Sequence, residues 1–189
     1  MKFIKSHWSI LLLGTILIIA GVAHGYNMFH FPYFENDEGT YISQAWSLLK
    51  FGKLAPYTYW YDHAPAGWML LSLWYVFTGG FFTFGYSIYS GRVFMLLVHV
   101  LSTFFLYDIG KRLTKQPWAG VFASLIFSLS PLAVYFQRRV LLDNMMILWI
   151  LFSFWLLLPK RLTLVRIIFS ALCFGIAVLT KENRSEEHT

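Results

Sequence analysis

Asp37 and Glu38 stand side by side just past the first apolar stretch, within Glu35-Asn36-Asp37-Glu38-Gly39-Thr40-Tyr41. Only 13% of this chain is charged and 58% is hydrophobic. Taking a carboxylate out of water costs several kcal/mol. Two in a row at the rim of an apolar segment therefore mark a candidate site rather than decoration. Carboxylates placed there can take a proton from a hydroxyl or hold a divalent cation. The same pair also suits a helix N-terminus, whose free N–H groups and dipole favour acids. The two uses are compatible, because a helix start holds a carboxylate rigidly.

Three more groups carry chemistry-bearing residues. Tyr61-Asp62-His63-Ala64-Pro65 reads as a turn punctuated by Asp62 and Pro65, and His63 beside Asp62 could also position a phosphate or share a metal. Arg138-Arg139-Val140-Leu141-Leu142-Asp143-Asn144 reads either as two snorkelling arginines with a turn aspartate or as a site. An aspartate one turn into an apolar run is costly, which favours the site. Leu179-Thr180-Lys181-Glu182 closes the last apolar run. Arg and Lys suit phosphate oxygens, and Asp37 with Asp143 are candidate ligands for Mg2+ or Mn2+. The mixture fits group transfer from a phosphate-bearing donor embedded in a membrane. His24, His30 and His99 fall in no recognisable ligand spacing, and His99 among apolar neighbours reads as a core histidine.

The elements that must position these residues are membrane helices. Aromatic residues make up 20% of the chain and its mean hydropathy is +0.58. Apolar runs at residues 8–23, 88–109, 117–136, 140–158 and 164–179 are each long enough to span. The run at 68–77 ends at Thr78-Gly79-Gly80. At about 1.5 Å per residue it falls short of a hydrocarbon core about 30 Å thick, and reads as an interfacial helix. With that helix on the outer face, Lys2, Lys5, Lys111, Arg112, Lys115, Lys160, Arg161 and Arg166 all fall on the cytoplasmic side. Asp37, Glu38, Asp62, His63, Arg138, Arg139, Asp143, Lys181 and Glu182 then share the outer side, as the positive-inside bias requires. Between the first two spans, Ile42, Ala45, Trp46 and Leu49 recur at helical spacing, with Ser43, Gln44, Ser47 and Lys50 facing elsewhere and Gly52 as a stop. The expected architecture is all-α integral membrane: five transmembrane helices plus two outer-face amphipathic helices.

The net charge of +6 does not point to nucleic acid, because the basic residues cluster at the ends of apolar runs. Cys173 is the single cysteine and lies in an apolar run, so no intrachain disulfide is possible. Gly21-Val22-Ala23 has the look of a signal-peptidase site, yet the spans that follow favour an uncleaved first helix. Residues 184–189, Arg-Ser-Glu-Glu-His-Thr, match the in-frame translation of a common sequencing adapter. The expectation is therefore a membrane module over 1–183, truncated and inactive by itself, followed by a six-residue scar.

The order of the four groups resembles the polyprenyl-phosphate-dependent, multi-pass glycosyltransferases of the C-type superfold. The likeness is to bacterial relatives of protein O-mannosyltransferases and of the lipid A aminoarabinose transferases, and it covers residues 8–183. Asp37-Glu38-Gly39-Thr40-Tyr41 is similar to that family's first-loop acidic motif. Asp62-His63-Ala64-Pro65 is similar to its acidic-x-Pro-Pro segment, with Ala64 in place of the first proline. Leu141-Leu142-Asp143-Asn144 resembles the second-loop acidic motif, and Leu179-Thr180-Lys181-Glu182 the end of the fifth span. The resemblance implies transfer of a sugar from a polyprenyl-phosphate donor to a protein, lipid or glycan on the outer face of the cell membrane, with inversion. It implies Asp37 as general base, with Asp62 and Asp143 arranging acceptor or metal and Arg138, Arg139 and Lys181 neutralising the donor phosphate. A lipid-linked sugar flippase is the rival, but a carrier would place its ionisable residues mid-span rather than at span ends. A non-catalytic lipid-binding module would have no need of Asp37.

Overall fold

The computed structural model describes residues 2–55 and 64–181. Asp62, His63 and Glu182 of the expected site, and the 184–189 tail, lie outside the described residues. Among the described residues every regular element is helical: α1 (Lys2–Gly25), α2 (Asn36–Phe51), α3 (Ala66–Phe77), α4 (Ser87–Thr114), α5 (Pro117–Leu129), α6 (Pro131–Phe136), α7 (Leu142–Leu157) and α8 (Leu164–Thr180). Two are long and apolar enough to cross a membrane, α4 with its 28 residues and α1 over Trp8–Gly25. The apolar helices α5, α7 and α8 are shorter, at 13, 16 and 17 residues. Residue by residue that is about 20–26 Å of helix.

Helix α4 is the hub, packing on α1, α5, α7, α2 and α3. Tyr107 Oη on α4 donates to Ser9 O on α1 at 3.0 Å, while His24 at the other end of α1 stacks on His99. The two helices are therefore antiparallel. Helix α5 returns along α4 at very close range, since a Cβ on Gly120 would sit 2.3 Å from Tyr107 O. Small residues at that crossing let the backbones touch, the usual basis of helix contact where no water is present to drive association. Phe105 stacks on Phe152 at 4.9 Å and Asp108 Oδ2 accepts from Trp155 Nε1 at 2.7 Å, so α7 runs parallel to α4. Ser153 and Ser170 bond across α7 and α8 at 2.9 Å.

This topology collects the start of α1, the ends of α4 and α7, and with them Lys111, Arg112, Lys115, Lys160 and Arg161 at one end of the bundle. Asp37, Glu38, Arg138, Arg139, Asp143 and Lys181 gather at the opposite end, capped by α2 and α3. The 12-residue α3 buries Trp68, Leu71, Ser72 and Tyr75 and leaves Met69, Leu73, Val76 and Phe77 exposed. An apolar outer stripe of that kind suits a bilayer surface better than water.

One expectation is corrected and one refined. The run 117–136 is not one helix: Ser130, at φ −64° and ψ 142°, separates α5 from α6. Pro131 causes the break, because it lacks an N–H and pushes the residue before it into extended backbone. The Ser130 hydroxyl then caps α6 by accepting from Ala133 N at 3.2 Å. On α2 the apolar stripe is divided: Ile42 and Ala45 are buried together with Gln44 and Ser47, while Trp46 and Leu49 are exposed, as suits a helix resting on a bilayer. Hydrogen bonds satisfy the two buried polar residues: Gln44 Oε1 accepts from Ala55 N at 2.9 Å and Ser47 Oγ donates to Lys53 O at 2.8 Å. Those bonds fold the chain back after Gly52, which ends the helix in the left-handed region at φ 66°.

The arrangement makes a labelling prediction. In a Cys173→Ser background, single cysteines at Thr114 and Lys160 should react with an impermeant maleimide from one side of the membrane and a cysteine at Thr40 from the other. Thr40 and Thr114 labelling from the same side would rule the arrangement out.

Candidate functional site

The two adjacent acids part company at the first turn of α2. Glu38 turns inward and is fully buried, with its carboxylate bonded on every side. Oε1 accepts from Arg92 Nε and from Val140 N, both at 3.0 Å. Oε2 accepts from Arg92 Nη2 at 2.8 Å and from Glu35 N at 3.2 Å, the backward bond of a capping box. Arg92 is equally enclosed, and its Nη1 donates to Met28 O at 2.7 Å. One ion pair thus ties the start of α2, the start of α4, the segment after α1 and the backbone entering α7. It stands where the hydrophobic cluster of Tyr41, Ile42, Leu71, Tyr75, Met95 and Val140 closes around it. Sequence reasoning passed over Arg92, although an arginine inside an apolar run is the same signal that singled out Asp143.

Asp37 points the other way. It is exposed, and among the described residues it makes no hydrogen bond or ion pair. The capping use weighed for both acids therefore falls to Glu38 alone. Asp37 lines an open cavity of about 650 Å³ together with Glu35, Asp143 and Asn144. Asp143, in the first turn of α7, holds the Lys181 ammonium with both oxygens at 2.7 Å. Most of the remaining wall is apolar, with Ile126 and Phe127 from α5, Leu132, Ala133 and Phe136 from α6, and Leu141 and Ile147, and Ser130 and Gln137 at the two ends of α6 are its other polar residues. The proline break matters here, because α6 supplies one side of the cavity only by turning away from the line of α5.

Arg138 and Arg139 are buried beside this cavity without lining it. Arg138 donates to the carbonyls of Ala23 and Phe31 and lies over the Phe31 ring. Burial, and then the nearby Arg92, hold its guanidinium below the usual arginine range. Arg139 pairs with Glu35, donates to Tyr33 O at 3.3 Å and lies 4.1 Å over the Tyr135 ring. Each guanidinium is committed to the segment before α2, and the Nε of each lacks a partner. The structure thus joins Asp37 and Asp143 at one cavity, with Lys181 held on Asp143, and gives Glu38, Arg138 and Arg139 places in the scaffold behind it.

A divalent cation would need several oxygen ligands converging on one point. Among the described residues no three His, Cys, Asp or Glu side chains converge in that way. Asp143 is already neutralised by Lys181 and Glu35 by Arg139. Within the described residues the donor set does not fit Mg2+ or Mn2+, and the positive charge beside Asp143 is an ammonium.

Residues 62–184 match the family model described as dolichyl-phosphate-mannose-protein mannosyltransferase. The matched segment takes in Arg92, Asp143 and Lys181 and begins after Asp37. The chain matches no curated protein and no solved structure.

Proposed function

As a member of the dolichyl-phosphate-mannose-protein mannosyltransferase family, the chain belongs to a glycosyltransferase, and we propose that it moves a sugar from a polyprenyl-phosphate donor to an acceptor hydroxyl on the outer face of the cell membrane, with Asp37 as general base. The observation that carries this reading is the contrast between neighbours. Glu38 has every oxygen lone pair engaged, while Asp37 stands without a partner among the described residues on a cavity whose other acids, Glu35 and Asp143, each carry a cation.

The chemistry follows from those groups. A base must be within reach of the acceptor, and an aspartate exposed on the cavity and without partners among the described residues is. The acceptor hydroxyl gives its proton to the Asp37 carboxylate as its oxygen bonds to the anomeric carbon. The bond from that carbon to the phosphate oxygen breaks on the opposite face, and the lipid phosphate leaves with the electron pair. Inversion at the anomeric carbon is the consequence. Lys181 is the cation assigned to the growing charge on the phosphate, since its ammonium is bound to Asp143, which lines the cavity. The apolar wall from α5, α6 and α7 suits the first isoprene units, and the exposed stripes of α2 and α3 suit the surrounding lipid.

The test is a choice of donors offered to the full-length protein in lipid nanodiscs. Transfer of labelled mannose from a polyprenyl phosphate is expected, with release of the lipid phosphate and no transfer from a nucleotide sugar. Transfer from the nucleotide sugar alone would sink the reading.

A further inference from the structure

Behind the cavity lies a polar cluster that the proposed reaction does not use. Gln137, the residue that ends α6, lines the large cavity and also a small one behind it. Its backbone N–H closes α6 on Ala133 O at 2.8 Å, which leaves the side chain free for another use. The side-chain Oε1 is hydrogen-bonded to His99 Nδ1 on α4. Among the described residues no group accepts from its Nε2.

The His99 ring is held on every side. It stacks on His24, with centroids 3.6 Å apart, and on Phe127 at 5.3 Å. His99 Nε2 lies 3.2 Å from Ser128 Oγ, and His24 Nε2 is anchored on Ser128 O at 2.8 Å. With the Gln137 oxygen against it, Nδ1 carries the ring proton, and Nε2 accepts from the Ser128 hydroxyl. A ring clamped in this way fixes where the Gln137 carboxamide lies. With Oε1 taken by His99, Nε2 is the end left as a neutral donor, on a side chain that lines the same cavity as Asp37 and Asp143.

We propose that Gln137 is a further binding residue of this cavity, donating from Nε2 to an oxygen of the lipid-linked donor, and that His99 is the positioning residue that orients it. This rests on the donor reading above. A buried histidine pair is more than packing needs, since Leu or Phe would fill the same space without polar atoms to satisfy. The acceptor chemistry is that of an oxygen with a free lone pair, which either the phosphate or the sugar of the donor can present.

The probes that separate those sources are polyprenyl phosphate, polyprenyl-phosphate mannose and the uncharged polyprenol, bound to the full-length protein in nanodiscs. Gln137→Leu removes the donor, and Gln137→Glu keeps the oxygen facing His99 while replacing the NH2 with an acceptor. Loss of one hydrogen bond to a charged oxygen is expected to weaken polyprenyl phosphate about tenfold in either variant, with polyprenol unaffected. Weakening confined to the mannosylated lipid assigns the bond to a sugar oxygen and equally supports the proposal. Wild-type affinity for both phosphates in both variants overturns it and leaves the donor reading intact. A wild-type protein that binds neither phosphate lipid overturns the donor reading, and this proposal with it.

His99→Phe keeps the ring in its stack and removes Nδ1–H. It should weaken the same lipid in the wild-type background and cost nothing further in Gln137→Leu. An equal cost in both backgrounds would make His99 a packing residue and end its positioning role.

Discussion

Asp37→Asn is expected to lower sugar transfer by about 10²–10⁴-fold, the usual cost of losing a general base. Amide and carboxylate are nearly the same size, and Asp37 makes no bond among the described residues that the change would break. Expression, membrane insertion and thermal stability should therefore match the wild type. Glu38, one residue on, provides the contrast, since its loss should be felt first in folding. Asp143→Asn should also depress transfer, because it frees the Lys181 ammonium from a partner at 2.7 Å. If both acids serve one cavity, the double variant should lose far less than the product of the single losses. A rate for Asp37→Asn within threefold of wild type would reduce that residue to a bystander, and multiplicative losses in the double variant would mean separate sites.

The second large effect is on stability. Glu38→Gln keeps the shape of the side chain but leaves the Arg92 guanidinium buried without a counter-charge. Breaking one side of a fully buried pair costs about 3–5 kcal/mol. Set against a usual folding stability of about 5–15 kcal/mol, the variant should melt well below the wild type and transfer poorly at growth temperature. Replacing both members at once, as Glu38→Met with Arg92→Met, removes the charge problem and should recover a good part of the stability, since apolar groups of similar volume often replace buried pairs without penalty. Activity should not recover in parallel. The pair also sets where α2 begins, and the start of α2 aims Asp37 at the cavity. Unfolding measured in detergent with increasing denaturant separates the two readouts. A Glu38→Gln protein as stable as wild type would mean that the ion pair is not what holds the four segments together.

Much of this architecture is written locally. Apolar runs locate the apolar helices α1, α4, α5, α7 and α8, because charge is costly to bury wherever helices pack on one another. The clusters at Lys111, Arg112 and Lys115 and at Lys160 and Arg161 place both of those helix ends together, and the bundle has them so. The stop of α2 at Gly52 follows from the only residue type there that takes a left-handed conformation without strain. Asp37, Asp143 and Lys181 could be picked out one by one, since each ionisable group sits at an apolar edge. The break within 117–136 carried its own warning in Pro131, whose effect on the preceding residue is as local as the rest.

What only the folded chain decides is which of two like residues faces which way. Asp37 and Glu38 are chemically alike, and adjacent positions on a helix point about 100° apart. Which of them is buried depends on the placing of Arg92, 54 positions further on. The same holds for the arginines after α6, whose charge suggested phosphate but whose partners proved to be the segment before α2, more than a hundred residues upstream. Gln137 is the extreme case, an unremarkable amide until His99 from another helix meets its oxygen. Propensity, hydropathy and charge bias act over a few residues, so a sequence displays them. A buried ion pair is a long-range choice among possible partners, settled only when packing excludes water from all but one of them.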